Sequence, residues 1–386
     1  MKRYLLLALL MMATSVAMAQ IPCGPTVIPP ATLSVNWPQF HFDAAHSGCN
    51  SYESILSPAT VGNLVVDWKS TTGGIPESSP AVANGVVYVG SVDGNVYALN
   101  AATGAKLWSY MTFGEVRSSP AVANGVLYVG SDYPDSNVYA LNALTGAKLW
   151  NYPTQYGVQS SPTVVNGVVY FGSGDDNVYA LNAATGAKLW SYTTGNSVSS
   201  SPAVWNGVVY VGSSDFQLYA LNALSGDKLW SYTTGYSVSS SPAVANGVVY
   251  FGSGDNKVYA LNALTGAKKW SYTTGAYVQS TPAVANGVVY VGSYDNNVYA
   301  LNAVTGAKKW SYTTSSYVFS SPAVANGVLY VGSEDNNVYA LNVSTGALLW
   351  SYTTGNYVAS SPAVANGVVY VGSTDGNLYA FHLPGH

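Results

Sequence analysis

Charged side chains are scarce in this chain, at 8% of its 386 residues, and no basic run longer than two residues follows Arg3. The formal net charge is −4. Proteins that bind nucleic acid or an anionic membrane surface usually carry a concentrated basic patch. The composition therefore argues against both kinds of partner.

Long hydrophobic runs are missing after residue 20, so no later segment has the roughly 20 apolar residues that a transmembrane helix needs. The start of the chain differs, with Lys2 and Arg3, an apolar stretch over residues 5–12, and Ala17-Met18-Ala19 as a small-residue cleavage site. Residues 1–19 are predicted to be a signal peptide, with a membrane anchor as the alternative. The expected location is periplasmic or secreted.

Cysteine occurs only twice, as Cys23 and Cys49. In an oxidising compartment, a disulfide between them is the expected state. Residues 20–22 do not form a lipoprotein cleavage box, so no lipid anchor is predicted. A metal site or catalytic thiol would need a nearby cluster of histidine and cysteine ligands, which the sequence does not show.

Histidine is also rare, and the four copies are His41, His46, His382 and His386. None lies between residues 47 and 381, which argues against a histidine-based triad or metal centre within the repeated part of the chain. For His41 and His46, polar capping roles are favoured over a small site.

The chain is rich in an internal repeat with a period of 40 residues, which the second copy exceeds by two. Its proline recurs at Pro80, Pro120, Pro162, Pro202, Pro242, Pro282, Pro322 and Pro362. Its tryptophan recurs at Trp68, Trp108, Trp150, Trp190, Trp230, Trp270, Trp310 and Trp350. A strict period of this length indicates one supersecondary unit copied many times.

Each copy predicts four short antiparallel strands. In the fourth copy these are residues 200–204, 208–212, 218–221 and 228–232, separated by turns at Asn206-Gly207, around Asp215 and at Ser225-Gly226. Such units form propeller blades. A β-solenoid is the competing architecture, but its coils usually repeat over fewer residues and it needs end caps.

The two chain ends predict how the ring closes. The last repeat stops at His386 without its tryptophan-bearing strand, and an orphan strand of that kind stands at residues 64–68. Twelve positions separate Trp68 from Pro80, as they separate Trp190 from Pro202. The orphan should complete the last blade and remove the exposed edges.

The copies resemble the pyrroloquinoline-quinone-like (PQQ-like) β-propeller repeats. Residues 180–190 match the tryptophan-docking pattern Ala-x-Asp-x-x-Thr-Gly-x-x-x-Trp, with Asn182 for the aspartate, and residues 37–48 resemble the lead-in of such proteins. The resemblance implies an all-β, eight-bladed propeller of four-stranded blades over residues 64–386, preceded by a lead-in over residues 20–63.

The same family includes quinone-dependent dehydrogenases, non-catalytic outer-membrane assembly subunits and sensor domains. For the dehydrogenases the resemblance implies a quinone in the central funnel, an adjacent-cysteine disulfide, a calcium site and a catalytic aspartate. The chain has no adjacent cysteines and no Cys-x-x-Cys-His haem motif. Neither the quinone nor Ca²⁺ is therefore expected, and no catalytic or metal-binding residue is predicted.

Two repeated residue types are expected to be structural. The tryptophans should pack between blades with their indole N–H groups bonded locally, although stacking platforms are the alternative. One aspartate per copy should form the turn after the second strand, because a Ca²⁺ site needs six or more converging oxygens. These are Asp93, Asp135, Asp175, Asp215, Asp255, Asp295, Asp335 and Asp375.

The copies differ at the turn after the second strand and at the link to the next blade, and both should lie on one face. Three residues before each proline, Glu77, Arg117, Gln159, Ser199, Ser239, Gln279, Phe319 and Ala359 should ring the funnel mouth. Arg117, the only arginine after residue 19, suits a carboxylate or an aromatic group of a partner, with an ion pair to Glu77 or Glu115 as the alternative. The predicted binding residues are Glu77, Phe113, Glu115, Arg117, Tyr156, Gln159, Phe216, Tyr236, Tyr277, Gln279, Tyr294, Tyr317, Phe319 and Tyr357. Neutral drift of loops is the alternative explanation of their variation.

The sequence predicts an exported, monomeric propeller that binds a protein, peptide or carbohydrate partner. A quinone-dependent oxidoreductase, or a relic of one, and a structural adhesin-like element are the alternatives.

Overall fold

Eight four-stranded antiparallel sheets follow one another along the chain in the computed structural model, which describes residues 36–385. The predicted signal peptide lies outside these residues. We number the blades 1 to 8 in chain order, starting with the blade that contains Pro80. The all-β, eight-bladed fold predicted from the repeats is confirmed.

The innermost strands of blades 1 to 8 are Ala81–Ala83, Ala121–Ala123, Thr163–Val165, Ala203–Trp205, Ala243–Ala245, Ala283–Ala285, Ala323–Ala325 and Ala363–Ala365. The second strands are Val86–Gly90, Val126–Gly130, Val168–Gly172, Val208–Gly212, Val248–Ser253, Val288–Gly292, Val328–Gly332 and Val368–Ser373. The third strands are Asn95–Asn100, Asn137–Asn142, Asn177–Asn182, Gln217–Asn222, Lys257–Asn262, Asn297–Asn302, Asn337–Asn342 and Asn377–His382.

The outermost strands of blades 1 to 7 are Lys106–Met111, Lys148–Pro153, Lys188–Thr193, Lys228–Thr233, Lys268–Thr273, Lys308–Thr313 and Leu348–Thr353. Blade 8 takes its outermost strand, Val65–Thr71, from the other end of the chain. That strand pairs antiparallel with Asn377–His382, with Val65 opposite His382 and Trp68 opposite Ala380. The predicted closure by residues 64–68 is therefore confirmed.

The tryptophans join neighbouring blades. The indole N–H of Trp190 donates to the carbonyl of Ala223 in the next blade at 3.0 Å, and the hydroxyl of Tyr170 donates to the same carbonyl. The glycine of the next Thr-Gly or Ser-Gly turn lies against the ring, because a Cβ on Gly226 would be 2.8 Å from Trp190 Cδ2. The tryptophans therefore have the packing role that the repeat pattern predicted.

The lead-in lies inside the ring. Its backbone runs once around the axis, and the carbonyls of Pro38, Ala45 and Gly48 accept the N–H groups of Val122, Val244 and Val324 at 2.7–2.8 Å. Trp37 forms a bridge to blade 1, and the Asn50 amide donates to the Val364 carbonyl in blade 8.

The remaining contacts use the side-chain amide oxygen of Gln39 at blade 3 and the backbone carbonyls of Ala44 and Ser47 at blades 4 and 6, each of which accepts a backbone N–H. The short strand Cys49–Asn50 pairs parallel with the innermost strand of blade 7. A 3-10 helix, Val61–Asn63, then leads into the closing strand. The innermost strands would otherwise leave backbone groups unpaired, so the lead-in stabilises the ring by satisfying them.

The two ends of the ring differ. The Asn-Gly and Thr-Gly turns lie at one end, which we call the constant face, and the turns after the second strands and the links between blades form the variable face. The lead-in reaches the constant face, where Asn36 accepts the N–H of Asn84 and Glu53 accepts the N–H of Gly367. No helix within residues 36–385 is long and apolar enough to span a bilayer.

Candidate functional site on the variable face

A cavity of about 350 Å³ opens at the centre of the variable face. Its lining is one residue from each blade: Glu77, Arg117, Gln159, Ser199, Ser239, Gln279, Phe319 and Ala359. These are the residues three positions before each repeated proline, so the structure places the predicted ring at the funnel mouth. The ring is charged at blades 1 and 2, small and polar at blades 4 and 5, and aromatic at blade 7.

The repeated Ser-Ser-Pro sequence builds the wall beneath this mouth. The first serine fixes its own blade, since the hydroxyl oxygen of Ser200 accepts the N–H of Gly212 at 3.0 Å. The second links neighbouring blades, since the N–H of Ser201 donates to the hydroxyl oxygen of Ser241 at 2.8 Å. Both serine positions are buried. The mouth residues therefore stand on a rigid frame.

Arg117 forms the ion pairs that were the alternative to a lone guanidinium facing a partner. Its guanidinium forms ion pairs with Glu77 and Glu115, the latter at 2.8 Å. The side chains of Arg117 and Glu77 are 36% and 30% exposed. Glu77 and Glu115 carry two negative charges against the one positive charge of Arg117, so this sector of the mouth has a net negative charge.

Six of the predicted binding residues form a continuous row of rings, which we call the aromatic arc. Phe216 stacks on Tyr236 with centroids 5.3 Å apart, and Tyr236 stacks on Tyr277 at 5.8 Å. Tyr277 contacts Tyr294 at 6.4 Å. The arc therefore starts at blade 4 and continues round the face.

Its far end lies at blade 7. Tyr294 stacks on Tyr317 at 5.0 Å with an interplanar angle of 5°, and Phe319 lies at 6.3 Å from the same ring. The Tyr294 hydroxyl donates to the amide oxygen of Gln279 at 2.6 Å. Burial, with Glu334 nearby, raises the pKa of Tyr294 to about 12, so its phenol stays protonated.

The other predicted residues are separate from this arc. Tyr156 stacks on Tyr133 at 6.1 Å, and Gln159 donates to Asp132 at 2.7 Å. Phe113 is 79% exposed and Tyr357 is 51% exposed. The structure brings six of the predicted aromatic side chains together and leaves these outside the group.

The repeated aspartates are structural, as predicted. In blade 4 the carboxylate of Asp215 accepts bonds from the Tyr219 hydroxyl at 2.6 Å, the Gly195 N–H and the Gln217 N–H. Neutral donors satisfy the carboxylate without cancelling its charge. Within residues 36–385, no three histidine, cysteine, aspartate or glutamate side chains converge as metal ligands would.

Charge is divided between the two faces, which composition did not reveal. Beside the eight aspartates, the variable face carries Glu77, Glu115, Asp132, Asp176 and Glu334 against Arg117 and Lys257. The constant-face ends of the outermost strands carry Lys106, Lys148, Lys188, Lys228, Lys268, Lys269, Lys308 and Lys309. The fold therefore brings lysines that are dispersed in sequence to one end of the ring.

His41 and His46 were missed as components of the channel. Both are buried there, and His46 contacts the Pro242 carbonyl at 3.0 Å and the Thr163 hydroxyl at 3.2 Å. Desolvation by burial lowers the pKa of His41 to about 4 and that of His46 to about 3, so both rings are neutral at pH 7. Both histidines are visible in the lead-in sequence, but nothing in that sequence indicated that the lead-in runs inside the channel.

The mouth has few cationic side chains to meet the quinone cofactor that the dehydrogenase resemblance implies. That cofactor is a tricarboxylate, whereas the one guanidinium of the mouth is already paired with two glutamates. The innermost strands, which would surround a buried cofactor, are occupied by the lead-in. A second cation or a carboxylate-rich metal cradle is not found among the residues of the mouth.

The closed ring of eight tryptophan-docked blades defines the class of protein, an eight-bladed β-propeller. A family model described as the β-propeller of the beta-alanine-activating enzyme matches residues 49–285, and one described as outer membrane protein assembly factor BamB matches residues 316–383. The chain belongs to this family of PQQ-like β-propellers. A sequence comparison with curated proteins gives no significant match.

Solved structures show the same fold at low sequence identity. BamB from Moraxella catarrhalis superposes with a TM-score of 0.72 and 20% identity, over 83% of this chain and 99% of that one. A europium-containing methanol dehydrogenase gives 0.78 and 15%, over 90% and 98%. The computationally designed Ika8 protein gives 0.72 and 18%, over 81% and 98%. The fold is thus shared by proteins with and without a catalytic role in their descriptions.

Proposed function

We propose that this chain is an exported, non-catalytic scaffold that recognises a protein partner through its variable face. The aromatic arc is the observation that carries the proposal. Five of its six rings are 39–47% exposed although they pack against one another, those of Phe216, Tyr236, Tyr277, Tyr317 and Phe319. Exposed aromatic clusters beside a cavity are typical of recognition surfaces.

The stacking favours a protein or peptide over a carbohydrate. A sugar binds by lying on the open face of an aromatic ring. The rings of Tyr294 and Tyr317 cover each other at 5.0 Å and 5°, so the arc presents ring edges and hydroxyl groups. Edges and hydroxyls suit the side chains and backbone groups of a polypeptide.

Electrostatics specify the partner further. The arc and the mouth are surrounded by carboxylates that neutral donors hold in place, such as Asp295, whose carboxylate accepts bonds from Tyr299 and Gly275. Interfaces are usually complementary in potential. The contacting segment of the partner is therefore basic, and its Lys or Arg side chains would pair with these carboxylates.

A quinone-dependent oxidoreductase remains the alternative activity. The ion-paired Arg117 and the occupied channel weigh against it. Purified protein mixed with the quinone and Ca²⁺ should show neither a bound chromophore nor dye-linked alcohol oxidation.

An envelope location is part of the proposal. The match of residues 316–383 to the model of an outer membrane protein assembly factor supports it, together with the signal peptide predicted for residues 1–19. The partner would then be another envelope or extracellular protein.

Site-specific photocrosslinking in the producing cells tests the scaffold role. A photoreactive phenylalanine at Tyr317 should trap one discrete protein, whereas the same group at Lys188 on the constant face should not trap it. If position 188 traps the partner and position 317 does not, the functional surface has been assigned to the wrong end of the ring.

A further inference from the structure

The constant face carries large aliphatic side chains at the tips of its turns. Leu144, Leu224, Leu264 and Val304 are each 80–91% exposed. They occupy the same position in blades 2, 4, 5 and 6, immediately before the Thr-Gly or Ser-Gly pair. Side chains of this size that protrude fully into water mark interaction sites when they occur as a group.

The fold does not require these side chains. The same position holds Ala102, Ala184 and Ser344 in blades 1, 3 and 7. The turn is held by its asparagine instead, since the N–H of Leu224 donates to Asn222 Oδ1 at 2.9 Å. The aliphatic side chain is therefore an addition to a turn that forms without it.

Lysines follow the turns of blades 1 to 6, and they are most numerous in one sector of the ring. Blades 5 and 6 each carry a pair, Lys268-Lys269 and Lys308-Lys309, directly after their turns, and blade 4 carries Lys228. All five are exposed. One carboxylate, Asp227, lies among them, and it accepts a bond from the Ser225 hydroxyl.

We propose that the sector of blades 4 to 6 on the constant face docks on an anionic lipid bilayer. Its three aliphatic tips, Leu224, Leu264 and Val304, stand at equivalent heights because the blades repeat one structure. Tips at one height enter the interfacial layer together. The neighbouring lysines then meet the negative surface potential, which attracts each basic residue near the membrane.

This surface is separate from the partner site. The constant and variable faces are opposite ends of the ring, so a propeller that rests on a bilayer through blades 4 to 6 keeps the aromatic arc accessible. The inference does not depend on the proposed partner, and either can fail alone.

Vesicle sedimentation tests the docking. The exported protein is mixed with vesicles of phosphatidylglycerol and phosphatidylcholine, and separately with phosphatidylcholine alone. We expect binding to the anionic vesicles that weakens as salt rises, and at least about tenfold weaker partition to the neutral ones. The triple variant L224S/L264S/V304S and the variant K268Q/K269Q/K308Q/K309Q should each lose at least about tenfold in partition.

The control variant M111S/F113S removes exposed apolar side chains from the opposite end of the ring, where Met111 and Phe113 are 46% and 79% exposed. It should bind the vesicles like the parent protein. Because all variants share one N-terminus, any contribution of residues 1–19 is common to them. Equal binding by all variants, or binding indifferent to lipid charge, would overturn the proposal.

A second copy of this chain is the competing occupant, since its acidic variable face is complementary to these lysines. Light scattering without lipid separates the two. A monomer that sediments only with anionic vesicles supports docking on lipid. Concentration-dependent assembly that L224S/L264S/V304S abolishes, with no vesicle binding, refutes it.

Discussion

The indole N–H of Trp350 donates to the carbonyl of Leu64 at 2.9 Å, across 286 positions of sequence. In the other blades the equivalent acceptor lies 33 or 35 positions further along, as for Trp230 and Ala263. The last docking contact is therefore made by the segment that precedes the first blade. Ring closure repeats the chemistry of every other blade junction with an acceptor from the opposite end of the chain.

The closing junction should be more sensitive than an ordinary one. The Ala263 carbonyl accepts two side-chain hydrogen bonds, one from the Trp230 indole N–H and one from the Tyr210 hydroxyl. Within the described part of the chain, the Leu64 carbonyl accepts only one side-chain hydrogen bond, from the Trp350 indole N–H. Trp350→Phe should lower the free energy of unfolding by about 1 kcal/mol more than Trp230→Phe, because it leaves the carbonyl without that donor. Urea unfolding of both variants measures the difference. Equal losses of unfolding free energy would mean that the hydrogen bond at the closing junction contributes no more to stability than the others.

Two glycines with the same backbone conformation separate strain from packing. Gly226 has φ +79° and would place a Cβ 2.8 Å from the Trp190 ring, whereas Gly207 has φ +76° and nothing within 4 Å. Gly207→Ala should cost about 1 kcal/mol, from the left-handed backbone alone. Gly226→Ala should cost at least about 2 kcal/mol more, because the ring must move. Similar melting temperatures for both variants would contradict the docking role of this glycine.

The disulfide between Cys23 and Cys49 stays a prediction, because Cys23 lies outside the described residues. Cys49 itself is buried, and its strand pairs with blade 7. Non-reducing peptide mapping of the protein purified from its producing cells should show one bridged peptide pair. Its loss in Cys23→Ser should lower stability by roughly 3 kcal/mol, since the bridge would close a loop of moderate length. Alkylation of both thiols without reductant would refute the pairing.

Acid should destabilise the ring because two neutral histidines are buried in its channel. The ordinary pKa of histidine is 6.5, and burial lowers the pKa of His41 to about 4 and that of His46 to about 3. Between pH 6.5 and 4 the unfolded chain binds protons that the folded chain does not, so stability is complete above pH 6.5 and falls as pH decreases. Two such groups give a slope of about 2.7 kcal/mol per pH unit at most.

Unfolding free energies at pH 7, 5.5 and 4.5 check this slope. The variant H41N/H46N should have a much flatter profile over that range. Asp43 acts in the opposite sense, since burial raises its pKa above the ordinary value of 3.8, and above pH 3.8 the folded chain keeps a proton that the unfolded chain releases, which offsets part of the slope. A parent protein with no pH dependence above pH 4.5 would show that the histidines protonate without cost.

The blade count, the closing strand and the tryptophan contacts could be predicted from sequence because each depends on local spacing that repeats. The path of the lead-in could not, because it has no internal repeat and its partners, such as Val244 for Ala45, lie about half the chain away. The basic face was predictable but missed. Its lysines always stand one or two positions before a docking tryptophan, as Lys188 does before Trp190, so they share one end of the ring. Composition adds up charge over the whole chain and hides this separation.

The ion pairs of Arg117 change what its removal should do. As a binding anchor, its loss would weaken partner binding. Because Glu77 and Glu115 compensate it, Arg117→Ala releases two carboxylates and makes the mouth more attractive to a basic segment. We expect Arg117→Ala to leave binding of the crosslinked partner unchanged or to strengthen it at low salt.

Tyr317→Ala should weaken binding by at least about 1 kcal/mol, since it removes a ring from the arc. Lys188→Ala, on the constant face, is the matched control and should have no effect. Titration calorimetry at two salt concentrations distinguishes these outcomes. A loss on Arg117→Ala as large as that on Tyr317→Ala would show that the guanidinium leaves its glutamates to bind the partner directly.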